Sequence, residues 1–217
     1  MRSRFDQQLA TLNQELTRMG AMCEEAIAIA SKALTTGEVK LTDKVLSIDG
    51  EINHMERTIE TLCLKLLLQQ QPVAKDLRQI SAALKMITDM ERIGTQAADI
   101  AEIIPFLGGR TGGECGQIRF MADVASRMVT ESIDAFVKQD ILLAGAAMER
   151  DDVVDDLFLQ VKSSLMKLIA EKTTDGGYAL DLLMIAKYFE RIGDHAVNIA
   201  EWVAFSVTGE HKKTVDF

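Results

Sequence analysis

Residues that break helices are scarce in this chain. Only two prolines, Pro72 and Pro105, occur in 217 residues, so long stretches run without a residue that lacks a backbone N–H donor. The three cysteines, Cys23, Cys63 and Cys115, are odd in number and far apart, with no CxxC pair and no Cys/His zinc spacing. That excludes a disulfide framework and leaves unpaired thiols, with Cys23 and Cys63 expected as small buried hydrophobes. No apolar run approaches the roughly 20 residues of a membrane span. The opening stretch MRSRFDQQLATLNQEL has no apolar signal-peptide core, and a soluble cytoplasmic protein is expected.

Positive charge is also in deficit. Lys and Arg number 24 against 33 Asp and Glu, for a formal charge of −9. The mean field repels nucleic acid phosphates, so no nucleic acid partner is expected. Catalytic signatures are missing: there is no GxSxG, P-loop or HExxH, and His54, His195 and His211 are scattered. His195 adjoins Asp194 but lies about 100° around a helix from it, which reads as a solvated or interface histidine rather than a partner in a shared site. DDVVDD (Asp151–Asp156) lacks the glycine and terminal glutamate of a calcium loop and reads as the acidic start of a helix. The eleven methionines read as core filler, and Trp202 and Phe205 as packing residues.

What is abundant is helix-forming sequence. Ala, Leu, Ile, Met, Glu, Lys and Gln dominate, and apolar residues recur at helical spacing, as in Leu9, Leu12, Leu16 and Met19, then Ile48, Ile52, Met55, Ile59 and Leu62. The predicted class is all-α. Helices are expected over 3–36, 39–70 and 75–104, then over 117–138, 141–172 and 178–207. Pro105 ends the third, and the glycine-rich GGRTGGECG (108–116) reads as a linker between two three-helix units, 1–107 and 117–217.

The two halves align. MERIGTQAADIAE (Met90–Glu102) matches FERIGDHAVNIAE (Phe189–Glu201), DGEIN (Asp49–Asn53) matches DDVVD (Asp151–Asp155), and MCEEAIAIA (Met22–Ala30) loosely matches MVTESIDAF (Met128–Phe136). Three matches in one order imply a duplicated three-helix unit. A period near a hundred residues is too long for a solenoid and suits two bundles packed together.

On a helix Glu91, Thr95, Asp99 and Glu102 fall within an arc of roughly 80°, opposite Ile93, Ala97, Ile100 and Ile104. The second copy repeats this with Glu190, Asp194, Asn198 and Glu201 against Ile192, Ala196, Ile199 and Val203. Gly94 and Gly193, mid-helix, suggest a close helix approach. Such a stripe is either a solvated face or a cation site, because carboxylates at i and i+4 repel unless a cation lies between them. The i, i+4 pairs Asp49/Asn53 and Asp151/Asp155 on the preceding helix would converge on the stripe if the helices are antiparallel neighbours. Oxygen donors of this kind suit magnesium, calcium, manganese or iron ahead of zinc.

Two copies of D-x-x-[IV]-[DN] followed by ERIG-x-x-A-x-[DN]-I-A-E, over about 5–208 of an acidic helical chain, resemble the PhoU family of phosphate signalling regulators. The resemblance implies tandem three-helix bundles and, in each repeat, an E(D)xxxD pair that binds multinuclear metal clusters, iron in some members. By position it assigns Asp151 with Asp155 and Glu190 with Asp194 to the second repeat, and Asp49 with Asn53 and Glu91 with Thr95 to the first. Asn53 and Thr95 each replace a carboxylate, so the second site is expected to bind metal more tightly. The first is expected to depend on Asp99 and Glu102 or to stay vacant. The resemblance further implies a homodimer that contacts the ATPase subunit of the phosphate ABC transporter and the sensor histidine kinase of the phosphate regulon. It would help repress that regulon when phosphate is plentiful, without catalysis. A metal-dependent hydrolase or metal store that uses the acidic clusters is the alternative.

Overall fold

With few helix breakers and a 3.6-residue apolar period, the chain folds into helices, and among the described residues there is no strand. The computed structural model describes the backbone of residues 2–70 and 72–210 and the side chains of 5–68 and 72–210; His211 lies outside the described residues. In order, α1 is Arg2–Thr36, α2 Lys40–Gln70 and α3 Ala74–Ile103, followed by a 3-10 turn at Ile104–Leu107; then come α4 Gly113–Lys138, α5 Ile141–Glu149, α6 Asp151–Ala170 and α7 Gly176–Thr208.

The all-α class and its duplication are as expected, and two boundaries differ. The stretch expected as one helix over 141–172 is interrupted at Arg150, whose backbone donates to Ala147 while its carbonyl receives Val153 and Val154. Its guanidinium forms a two-point pair with Glu131 of α4, Nε to Oε2 at 2.7 Å and Nη2 to Oε1 at 3.0 Å. That pair holds the corner, and Asp151 and Asp152 occupy the first turn of α6, where the amide dipoles favour carboxylates. The predicted linker is also shorter, because Gly113–Gly116 form the first turn of α4 and Cys115 is buried. Left-handed φ values of 63° and 75° at Gly108 and Gly109 turn the chain between the halves.

Arg110 then fastens this turn to the start of α7. It donates to Leu107 O at 3.1 Å and to Asp175 Oδ2 at 2.6 Å, and its guanidinium lies 4.0 Å from the centre of the Tyr178 ring. Asp175 meanwhile caps α7 by accepting from Tyr178 N at 2.8 Å.

The apolar stripes of all the helices meet in one hydrophobic cluster that runs through both halves, with Leu12, Leu16, Ile52, Met86, Phe136 and Phe189 wholly inside it. Each such side chain contributes about 1.5–3 kcal/mol by leaving water. The halves share this core through two helix pairs, α1 on α4 and α3 on α7. All three cysteines are free and buried, and Met19, Met86, Met90, Met121 and Met128 fill the core, while Met166 and Met184 are exposed. The α3–α7 pair brings the two ERIG phrases side by side, each flanked by its own preceding helix, α2 or α6.

Candidate functional site

Gly94 and Gly193 set the geometry of both acidic clusters. A Cβ on Gly94 would stand 2.9 Å from Ile52 Cδ1 and 3.2 Å from Asp49 Oδ1, and a Cβ on Gly193 would stand 3.1 Å from Asp151 Oδ1. The missing side chain therefore lets α2 close on α3 and α6 on α7, and the space it leaves is taken by an aspartate oxygen. Ile93, Ala97, Ile100 and Ile104 are buried, as are Ile192, Ala196, Ile199 and Val203, so the inward face is as predicted.

The opposite stripe is not simply a solvated face. The Glu190 side chain is 13% exposed and that of Glu91 23%. Glu91 is held within its own helix, 3.5 Å from Arg92 Nε and accepting from Thr95 Oγ1 at 3.4 Å.

In the first cluster, Asn53 Nδ2 donates to Asp49 O at 2.9 Å and to Asp49 Oδ2 at 3.2 Å. Asp49 Oδ1 is buried and has no hydrogen-bond partner. Burial first, and then the charges of Glu91 and Asp99, hold Asp49 above the usual carboxylate range. Asp99 therefore belongs to this cluster, one turn beyond Thr95. It is itself raised by burial and by Glu102, with Arg191 of α7 opposing. Glu56, raised by burial, Glu60 and Glu91, is a further member that the motif does not contain. Its position, two turns from Asp49 on α2, would have revealed it, since seven residues return to the same helical face.

The second cluster holds four carboxylates. Asp151 Oδ1 is again buried without a hydrogen-bond partner. Burial, followed by Asp155, Asp194, Glu190 and Asp152, pushes Asp151 up to about 6. Asp155 and Asp194 are raised as well, by burial and then Glu190, with Lys187 opposing. Lys187 is the second residue that the motif omits. Its ammonium lies 2.5 Å from Glu190 Oε1 and also touches Oε2. Thr88 takes the corresponding place in the first repeat, so the first cluster has no lysine at that position.

These carboxylates are gathered but not closed. Among the described residues no three acidic, histidine or cysteine side chains already converge around one point at metal-binding distances. Even so, the donor set is chemically matched to a hard cation. It consists of oxygen atoms, several of them charged, each cluster having one buried aspartate oxygen without a partner.

A separate polar link joins the repeats. Asp89 Oδ1 lies 2.9 Å from His195 Nδ1 and accepts from Asn198 Nδ2 at 3.1 Å. His195 is thus an interface histidine, and Asn198 serves this link rather than a cation. Asp99 lies near Arg191, so α3 and α7 run in opposite directions. Asp89→Ala is expected to lower the unfolding free energy by about 1 kcal/mol, because partly buried His195 and exposed Asn198 lose their shared partner. The urea midpoint measures this, and Asp89→Asn should recover part of the loss.

Known proteins share this sequence pattern and this fold. The family model described as PhoU domain matches twice, at residues 16–104 and 118–203. A phosphate-specific transport system accessory protein PhoU homolog from Clostridium acetobutylicum is 33% identical over 208 residues, covering 95% of each chain. A homolog of the same description from Synechocystis is 34% identical over 97% of this chain and 94% of its own. The crystal structure of PhoU from Pseudomonas aeruginosa superimposes with a TM-score of 0.89 at 33% identity, covering 95% of this chain and all of that one. PhoU from Streptococcus pneumoniae shares the fold, with a TM-score of 0.88 at 24% identity over 97% of this chain and all of its own.

Proposed function

Because this chain belongs to the PhoU family, we propose that it is a non-catalytic regulator of phosphate transport and of phosphate-responsive two-component signalling. The observation that carries this reading is similarity along almost the whole length to accessory proteins of the phosphate-specific transport system. Its partners are the ATPase subunit of the phosphate ABC transporter and the sensor histidine kinase of the phosphate regulon. It works in the cytoplasm, as a homodimer, and holds the kinase in its repressing state when phosphate is plentiful. No helix among the described residues is long and apolar enough to cross a membrane, so it reaches these partners from outside the bilayer. Regulation of this kind needs only unequal affinity for two partner conformations.

The clusters bind hard cations, iron or manganese ahead of magnesium, calcium and zinc. Asp151, Asp155, Glu190 and Asp194 hold the tighter site. Asp49, Asn53, Glu91 and Asp99 hold the weaker one, with Thr95 and Glu102 at its edge. Two unpartnered buried aspartate oxygens and the raised carboxylates support this assignment. Lys187 occupies part of the second site in the metal-free state and turns away on binding, so Lys187→Ala should tighten metal binding there.

Deleting the gene and assaying phosphate-regulated alkaline phosphatase in phosphate-replete cells tests the regulatory reading. Constitutive expression is expected. Unchanged expression would turn the assignment towards a metal-dependent hydrolase or a metal store.

A further inference from the structure

The seam between α1 and α4 contains a cavity of about 390 Å³, within the size range of small-molecule pockets. It lies away from both acidic clusters and the proposed function does not use it. Lys32 and Ser31 line it from α1, and Arg119, Asp123 and Ser126 from α4, over an apolar floor that includes Ala122. Lys32 and Arg119 form no ion pair among the described residues. The hydroxyls of buried Ser31 and of Ser126 likewise have no hydrogen-bond partner there. Lys32 and Arg119 are exposed and Ser31 is buried, so one cavity lining combines two solvated cations with a buried, uncommitted hydroxyl.

The internal repeat shows that the fold does not demand them. Met22 aligns with Met128, an offset of 106, which carries Lys32 to Lys138, Ser31 to Val137, Ser126 to Gly20, Arg119 to Asn13 and Asp123 to Thr17. At that other end of the seam the lysine is already neutralised by Asp134 at 2.7 Å, and the arginine and both serine hydroxyls are gone. The same helix pair packs there on a glycine, Gly20, against Ile133. Only one end has kept the cationic, hydroxyl-lined cavity.

We propose that this cavity binds a phosphate-class oxyanion, orthophosphate or the phosphate of a small phosphomonoester, held by Lys32, Arg119, Ser31 and Ser126. Arg119 presents a planar fork that matches a tetrahedral oxyanion, and Lys32 adds a point charge. Asp123 supplies selectivity. Hydrogen phosphate carries a proton that a carboxylate accepts, whereas sulfate carries none and is repelled. Because the anion spans one helix from each repeat, binding reports phosphate directly to the seam that joins them.

Equilibrium dialysis of chelator-treated full-length protein against labelled orthophosphate tests this, with glycerol 3-phosphate and sulfate as competitors. Saturable binding near one per chain is expected, weakened about tenfold or more by Lys32→Ala with Arg119→Ala and unchanged by Lys138→Ala. Ser31→Val should weaken it less, and Asp123→Asn should let sulfate compete. Tighter competition by glycerol 3-phosphate assigns the ester, and weaker competition assigns the free ion. Absence of binding at millimolar phosphate, or binding that survives the double substitution, would overturn the proposal. Neither result bears on the alkaline phosphatase test of the regulatory reading.

Discussion

Gly94→Val is expected to lower the unfolding free energy by about 2–3 kcal/mol, against a background in which replacing a helical glycine normally helps. At Gly50, where an added Cβ meets nothing within 4 Å, the ordinary rule holds, and Gly50→Ala should stabilise α2 by about 0.5–1 kcal/mol. At Gly94 the Cβ alone comes 2.9 Å from Ile52 Cδ1, and Ile52 is wholly buried in a core with no slack. A valine adds two further carbons in the same place, so α2 must back away from α3. That movement also withdraws Asp49 from Glu91, so the variant should lose first-site cation binding along with stability. Gly193→Val should do the same to Asp151 and the second site. Urea unfolding of the four proteins reads the sign directly. A Gly94→Val protein as stable as the wild type would mean that the helices are not in the close contact described.

Asp151→Asn is expected to have the opposite effect on the metal-free protein. The carboxyl is pushed up to about 6 in the folded state from an ordinary value of 3.8, so between those pH values the folded chain holds a proton that the unfolded chain has released. Stability contributed through this group therefore falls as pH rises through that window. The penalty is complete above about pH 6 and absent below about pH 4. A shift of about two units corresponds to roughly 3 kcal/mol at most, and partial solvent access reduces it to about 1–2 kcal/mol. In chelator at pH 7.5, Asp151→Asn should be more stable than the wild type by that amount. The difference should shrink as the pH is lowered to 5. Added manganese should reverse the order, because only the wild type gains a cation that offsets its carboxylates. A destabilised Asp151→Asn protein in chelator would contradict the electrostatic account of the cluster.

The helices and the duplication were legible because their signals are periodic and repeated. Ile93, Ala97 and Ile100 could face only one way on a helix, and two mid-helix glycines on otherwise strong helices announced a close approach. The break at Arg150 was not legible, since the residue that meets Arg150 at that corner, Glu131, lies nineteen residues away in the chain and on another helix. Cys115 was hidden for a similar reason: its glycine-rich surroundings read as linker, and only packing beside Tyr178 turns them into the first turn of α4. Within the site, spacing on one helix found Asp49, Glu91, Asp151 and Glu190. The sequence motif had no place for Lys187 or Glu56, whose roles depend on the charge balance between helices. The stripe residue Asn198 turned out to serve the Asp89 link, which only the α3–α7 crossing reveals.

The central claim is that the repeated phrase builds two cation sites of unequal strength. Titration of chelator-stripped protein with manganese(II), followed by calorimetry on the wild type, on Glu190→Ala/Asp194→Ala and on Glu91→Ala/Asp99→Ala, tests it most directly. Two classes of site are expected in the wild type, with the tighter lost in the first variant and the weaker in the second. Equal affinity and stoichiometry in all three proteins would contradict it.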